Sequence, residues 1–213
     1  LIPAAVAGAS DGPSAGVSAT TANVEAMLYL PDDAPQEPCS GATVRRLDES
    51  LPNPGCSAMP GDWVLSNERI TVVINDPSRA LGNSASGGYI IDAFRNDSPV
   101  DQLAQVHLYL NDQYPRMAKF AGARDATNPK QPGTAQLEVW GTDTHDPGID
   151  IMTTYTLQAG SSRVLMDTVV VSRGRPLKDY VMGDAVAWGQ TTQYLPGAGQ
   201  ATANCVGGVQ TGD

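Results

Sequence analysis

Ile149-Asp150-Ile151-Met152-Thr153-Thr154-Tyr155-Thr156-Leu157 is followed by Gln158-Ala159-Gly160-Ser161-Ser162. The chain then continues as Arg163-Val164-Leu165-Met166-Asp167-Thr168-Val169-Val170-Val171. Both flanks carry β-branched residues, and a Gly/Ser turn stands between them. The stretch predicts two antiparallel strands. The same grammar recurs upstream. Trp63-Val64-Leu65 and Ile70-Thr71-Val72-Val73-Ile74 flank the polar turn Ser66-Asn67-Glu68-Arg69 and read as a second hairpin. Gly87-Gly88-Tyr89-Ile90-Ile91-Asp92-Ala93-Phe94 is a strand entered through glycines, while Gln105–Leu110 and Ala135–Trp140 alternate strictly. Tyr180–Trp188 is a further strand, with a bulge or close approach expected at Gly183. Residues 99–106 offer two helical turns at most. Spaced strands with turn signals predict an all-β antiparallel sandwich.

The N-terminal part has a different texture. Residues 1–23 are small and polar without a period, and predict a flexible arm. Val24–Leu30 reads as a strand, and residues 31–61 as a long proline-rich loop. Residues 24–213 are then one sandwich domain carrying that loop.

Of 213 residues, 13 are Lys or Arg and 23 are Asp or Glu, a formal net charge of −10. The charged fraction of 17% is low for a soluble domain, where roughly 25% is usual. An acidic chain without basic clusters cannot neutralise a row of phosphates, which excludes nucleic acid and anionic membranes as expected partners. No run of about 18 apolar residues is present to span a bilayer. The low-charge β composition suits a secreted or cell-surface protein, and Leu1-Ile2-Pro3-Ala4-Ala5 reads as a mature terminus left after removal of a signal peptide.

Cys39 and Cys56 lie 17 positions apart in the proline-rich loop. The spacing suits a disulfide stapling that loop, worth roughly 3 kcal/mol in the chain-entropy model. The absence of a CxxC pair or a nearby His argues against a metal there. Cys205 is left over, to stay free or to pair elsewhere.

From Asp62 onward the order of motifs resembles the galactose-mutarotase-like β-supersandwich of large secreted bacterial proteins. The resemblance rests on Gly61-Asp62-Trp63-Val64-Leu65 with Asn67, on Ile70–Ile74, on Gly87–Ala93 and on Asp101-Gln102-Leu103. It continues through Thr153–Leu157 and Gly183-Asp184-Ala185-Val186-Ala187-Trp188-Gly189 to Leu195-Pro196-Gly197, and covers residues 61–200. It implies a supersandwich fold. Active members of that family use a His in a strand–loop motif with a distant Glu or Tyr. Here only His107 and His145 are present, neither in a His-Pro-Tyr motif, so no catalytic residue is carried over. A complete supersandwich is also longer. The resemblance therefore implies a sheet that a neighbouring chain or a further segment completes.

Three groups of residues bear on chemistry. Trp188 and Tyr194 flank Gly189–Gln193, with Asp184 just before, so Trp188, Tyr194, Asp184 and Gln190 are the candidate ligand-binding residues. Aromatic faces beside amides and a carboxylate suit a sugar groove, and a core aromatic explains Trp188 equally simply. Asp143, Asp146 and Asp150 surround a His-Asp-Pro-Gly turn and are the candidate metal ligands, for Ca²⁺, although a solvated turn accounts for them too. His107 sits between Val106 and Leu108. If those face the core, period 2 points His107 to solvent or to a second layer. Arg95, Arg116 and Arg124 would suit uronic acids but are scattered. Hydrolase elbow, P-loop and dinucleotide fingerprints are absent.

The first functional reading is a non-catalytic structural or adhesive module of the cell surface or extracellular matrix. Its partner would be itself or a neighbouring surface protein, joined by strand addition into a larger assembly or filament. The alternatives are a carbohydrate-binding module, with polysaccharide as ligand, and a polysaccharide lyase- or epimerase-like enzyme.

Overall fold

In the computed structural model the described residues are 19–22, 41–49, 51, 57–82, 84–97, 103–111, 115–174, 176–188, 193–195, 199–204 and 208–211. Fourteen strands run through them: β1 Ala19–Ala22, β2 Thr43–Arg46, β3 Trp63–Ser66, β4 Ile70–Ile74, β5 Ile90–Arg95, β6 Leu103–Leu110 and β7 Ala118–Asp125, then β8 Thr134–Asp143, β9 Ile149–Gln158, β10 Val164–Ser172, β11 Met182–Trp188, β12 Gln193–Leu195, β13 Gly199–Asn204 and β14 Gly208–Thr211. All pair antiparallel. The sheets are β1-β10-β9-β8-β7, β2-β3-β4-β5, β11-β6 and β12-β13-β14. The molecule is an all-β antiparallel sandwich.

The β9–β10 hairpin shows why. Its burial alternates residue by residue, with Ile149, Ile151, Thr153, Tyr155 and Leu157 inward and their neighbours half exposed. Val164, Met166, Thr168 and Val170 do the same across the ladder. β8 adds Ala135, Leu137 and Val139. These inner faces form one core with Leu65, Val72 and Ile74 of the four-stranded sheet and Val106, Leu108, Leu110 and Met182 of the β6–β11 pair. Period 2 thus places one face of each strand in a shared apolar layer.

The four-stranded sheet is buried on its other face as well. Val64, Val73 and Ile91 point away from the main core and pack with Leu47, Ala58, Leu51 and Leu81. The segment after β2 therefore covers the sheet. Here the sequence expectation is corrected: the proline-rich loop predicted over 31–61 contains strand β2. β2 is mostly exposed, so its ladder with β3 holds it rather than burial. Similarly, the arm predicted over 1–23 contributes β1, which pairs with Thr168–Val171 at the edge of the five-stranded sheet. Residues 103–106 are strand, not helix. The strand expected over 24–30 lies outside the described residues, as do Cys39, Cys56 and Cys205.

Two side chains tie the layers. Asn67, in the β3–β4 turn, donates from Nδ2 to the carbonyls of Gln158 and Ser161 at 2.7 Å each, while its Oδ1 accepts from the Arg69 and Ile70 amides at 2.9 Å. It saturates both hairpin turns at once. Tyr155 crosses the core to donate to the Gly88 carbonyl at 2.8 Å. Gly88 has φ +90°, and a Cβ there would meet the Phe120 ring at 2.6 Å, which explains why glycines introduce β5.

β7 bulges between Phe120 and Gly122, where it pairs with β8. Gly141 of β8 makes room for it: a Cβ on Gly141 would stand 1.9 Å from the Lys119 carbonyl oxygen. Gly141→Ala is expected to push β7 outward and to cost about 1–3 kcal/mol, read from urea unfolding midpoints. An unchanged midpoint would show that β7 gives way without cost.

Candidate functional site

The predicted acidic metal site is not assembled. Asp143 is buried and accepts from Arg116 Nε at 2.9 Å and Nη2 at 2.5 Å, from the Tyr180 hydroxyl at 2.9 Å and from the His145 amide at 2.8 Å. Burial and then the Asp143 carboxylate push the Tyr180 phenol far above its ordinary range. Asp146 caps the turn through the Gly148 amide at 3.0 Å. Asp150 faces Arg173 across the sheet edge, and that hydrogen-bonded guanidinium holds its carboxyl below the usual range. Each carboxylate has a structural partner, and among the described residues no group of three or more His, Cys, Asp or Glu is placed to hold a metal ion. The three scattered arginines are likewise separate. Arg95 pairs with Asp97, Arg116 with Asp143 and Arg124 with Glu138.

The residues predicted for a sugar groove are spread over two sheets. Asp184 lies in β11 opposite Leu108, Trp188 ends β11 opposite Leu103 after a register shift, and Tyr194 lies in β12 opposite Gln200. Gln190 is outside the described residues. Asp184 is largely buried, which raises its carboxyl to about 6. Its charge adds to burial in pushing the phenols of Tyr89 and Tyr155 upward. His107 stands nearby, its ring 5.8 Å from Tyr89 and 6.0 Å from Tyr109. It does not point to solvent: β6 is buried on both faces, and His107 is 7% exposed. Burial lowers its pKa, and its Nδ1 has no hydrogen-bond partner among the described residues. A neutral imidazole without an orienting carboxylate is poorly equipped as a general base.

A different site emerges between the two main sheets. A cleft of about 350 Å³ opens between the β2–β3 edge and β7. Arg46 of β2 lies over the Trp63 ring, 5.2 Å from its centroid, and its Nε donates to the Gly61 carbonyl at 3.1 Å. The same guanidinium pairs with Asp76. Asp76 also accepts from the Ser78 amide at 3.0 Å and hydroxyl at 2.6 Å. Burial alone would raise the Asp76 carboxyl, but the bonds from Ser78 and Arg46 outweigh it and keep it low. Beneath this group lies Asp62, fully buried, which accepts from Arg79, from the Met59 amide at 2.9 Å and from the Asp76 amide at 2.9 Å. The opposite wall is the bulged segment Phe120–Ala123. On the outer face Trp140 packs over Gly122, 40% exposed, with Arg124 5.7 Å from its ring centroid.

Arg46 and Asp76 are 30 residues apart, and β7 is a further 42 residues on. The alternating run at 63–65 locates Trp63, but nothing local in the sequence joins it to Phe120–Ala123. The run Ala118–Asp125 is small and weakly alternating, so β7 itself gives little signal.

Among the described residues no helix is long and apolar enough to cross a membrane. The chain matches no protein-family model, no curated protein and no solved structure.

Proposed function

We propose that the protein is a non-catalytic structural or adhesive module of the cell exterior, of supersandwich type, that assembles by strand addition. The observation that carries this reading is the β1–β10 ladder. β1 seats on the edge of the five-stranded sheet with Ala19 opposite Val171 and Ala22 opposite Thr168. β10 runs from Val164 to Ser172, so β1 covers only part of that edge. Residues 23–42 separate β1 from β2, and a connection of that length reaches at most about 65 Å when fully extended. The same strand can therefore seat on its own sheet or on a neighbour's. Backbone bonds supply the pairing, so an Ala/Thr sequence suffices. Exchange of an identical element between copies is a low-cost route to assembly.

The enzyme alternative has less support, because the carboxylates Asp62 and Asp143 are engaged structurally and His107 is buried and desolvated. The carbohydrate-binding alternative keeps one specific observation, the Trp63 cleft.

The test is the solution mass of the full chain after concentrated refolding, by light scattering behind size exclusion. Wild type is expected to yield discrete oligomers. Thr20→Pro with Thr21→Pro removes the ladder donor of whichever of the two faces β10 and fixes φ at both positions, and is expected to abolish them. Equal oligomer content in the two proteins would sink the reading.

A further inference from the structure

The cleft between Arg46–Trp63 and β7 has the size, shape and polar equipment of a small-ligand site. Its volume of about 350 Å³ falls at the small end of the range that such sites occupy, roughly 300–1,000 Å³. We propose that it binds one unit of a neutral, ring-form saccharide. This rests on the cleft alone and is independent of strand addition.

Charge selects the ligand class. An anion entering the cleft meets the Asp76 carboxylate, and a cation meets the Arg46 guanidinium. The two are already paired with each other, so neither charge is left over for an ionic ligand. The chain as a whole carries a net charge of −10, which further disfavours acidic sugars. What remains is a neutral ligand that offers both donors and acceptors. Adjacent hydroxyls do this: one donates to Asp76 while the next accepts from Arg46, and the Ser78 hydroxyl lies on the same lip.

The walls complete the match. Trp63, Pro77, Phe120 and Ala121–Ala123 contribute apolar surface, suited to the C–H face of a pyranose. Gly122 and the β7 bulge set the depth of the floor. The polar groups are held before any ligand arrives. Asp76 is fixed by Ser78 and by its own amide on Asp62, and Arg46 by the Gly61 carbonyl. A site so ordered loses little side-chain freedom on binding. Trp140, exposed on the far side of Gly122 and flanked by Arg124 and Glu138, extends the same combination of aromatic, guanidinium and carboxylate beyond the cleft. A polymer of several units, rather than a free monosaccharide, would engage both tryptophans.

The experiment titrates the full chain with cellohexaose, with maltohexaose and with an oligogalacturonate of equal length, reading tryptophan emission and calorimetric heat. At least one neutral hexasaccharide is expected to bind, and the oligogalacturonate at least tenfold more weakly. Ala121 is exposed on β7, so Ala121→Trp fills the cleft without entering the core and is expected to lower affinity at least tenfold. Arg46→Ala is expected to do the same while leaving thermal unfolding near wild type. Thr20→Pro with Thr21→Pro is expected to keep saccharide binding, which separates this site from the assembly edge. Three results would each overturn the proposal: no binding of either neutral hexasaccharide, binding that survives Ala121→Trp, or preference for the oligogalacturonate.

Discussion

Asp62→Asn is expected to lower the stability of the fold by about 3–5 kcal/mol, the usual cost of removing one partner from a buried ion pair. Asp62 is fully buried and makes its bonds to Arg79 and to two backbone amides. An amide in its place keeps the shape but leaves the Arg79 guanidinium, three-quarters buried, without its counter-charge. Of the two backbone amides, one then faces the donor –NH₂ and loses its acceptor, and the other keeps only a neutral carbonyl. For a chain of this size about 2–4 °C of melting temperature accompanies each kcal/mol, so a fall of roughly 10 °C is expected. Adding Arg79→Met should recover part of the loss, because the stranded charge goes with it. A fall below about 1 kcal/mol, or no recovery in the double variant, would show that Asp62 is not the anchor of this corner. The effect reaches the cleft, since Asp62 holds the Asp76 amide. Asp62→Asn should therefore weaken any ligand of the cleft even at temperatures where the variant stays folded.

Asp184→Asn is expected to act in the opposite direction. Burial raises the Asp184 carboxyl from 3.8 to about 6 in the folded chain. Below the unfolded value the group is neutral in both states and burial costs nothing. As pH rises from about 4 to about 6 the unfolded chain releases its proton first, and stability falls. Above 6 the full cost is present, about 3 kcal/mol for a shift of about two units. The asparagine variant should therefore gain up to about 3 kcal/mol at pH 7.5 and nothing at pH 4. Urea unfolding at the two pH values measures this. A gain of equal size at both would mean that packing, not ionisation, separates the two side chains.

Several structural roles were written in residues that also looked like site chemistry. Asn67 and Asp62 stand in the run that carries the resemblance to supersandwich proteins. In the structure they close turns and hold loops. Asp143, Asp146 and Asp150 crowd one short segment, yet strand geometry sends them to different partners. Proximity along a chain brings ligands together only when their side chains converge, and here Asp143 and Asp150 sit one register position apart on paired strands, so period 2 sends one inward and the other outward. The useful cleft was invisible for the converse reason. Arg46 and Asp76 meet once β2, β3 and β4 have paired, and Ala121 of the other sheet joins them only after the two sheets have packed.

What the sequence alone determined is the set of strands announced by β-branched runs or by alternation: β3, β4, β5, β6, β8, β9, β10 and β11, and through them the antiparallel sandwich. Period 2 is a local property, set where one side of a strand meets oil and the other water, and a reader of the chain sees it directly. Tertiary structure decided the rest. β1, β2 and β7 are edge strands with no sustained alternation of apolar and polar residues, so backbone pairing makes them and no hydrophobic pattern announces them. β6 is buried on both faces, and that decided between the two places the sequence left open for His107, solvent or a second layer, in favour of burial. Which edges stay open, and which side chains meet across the gap between sheets, follow from how the layers close on each other, a long-range outcome that no window of sequence contains.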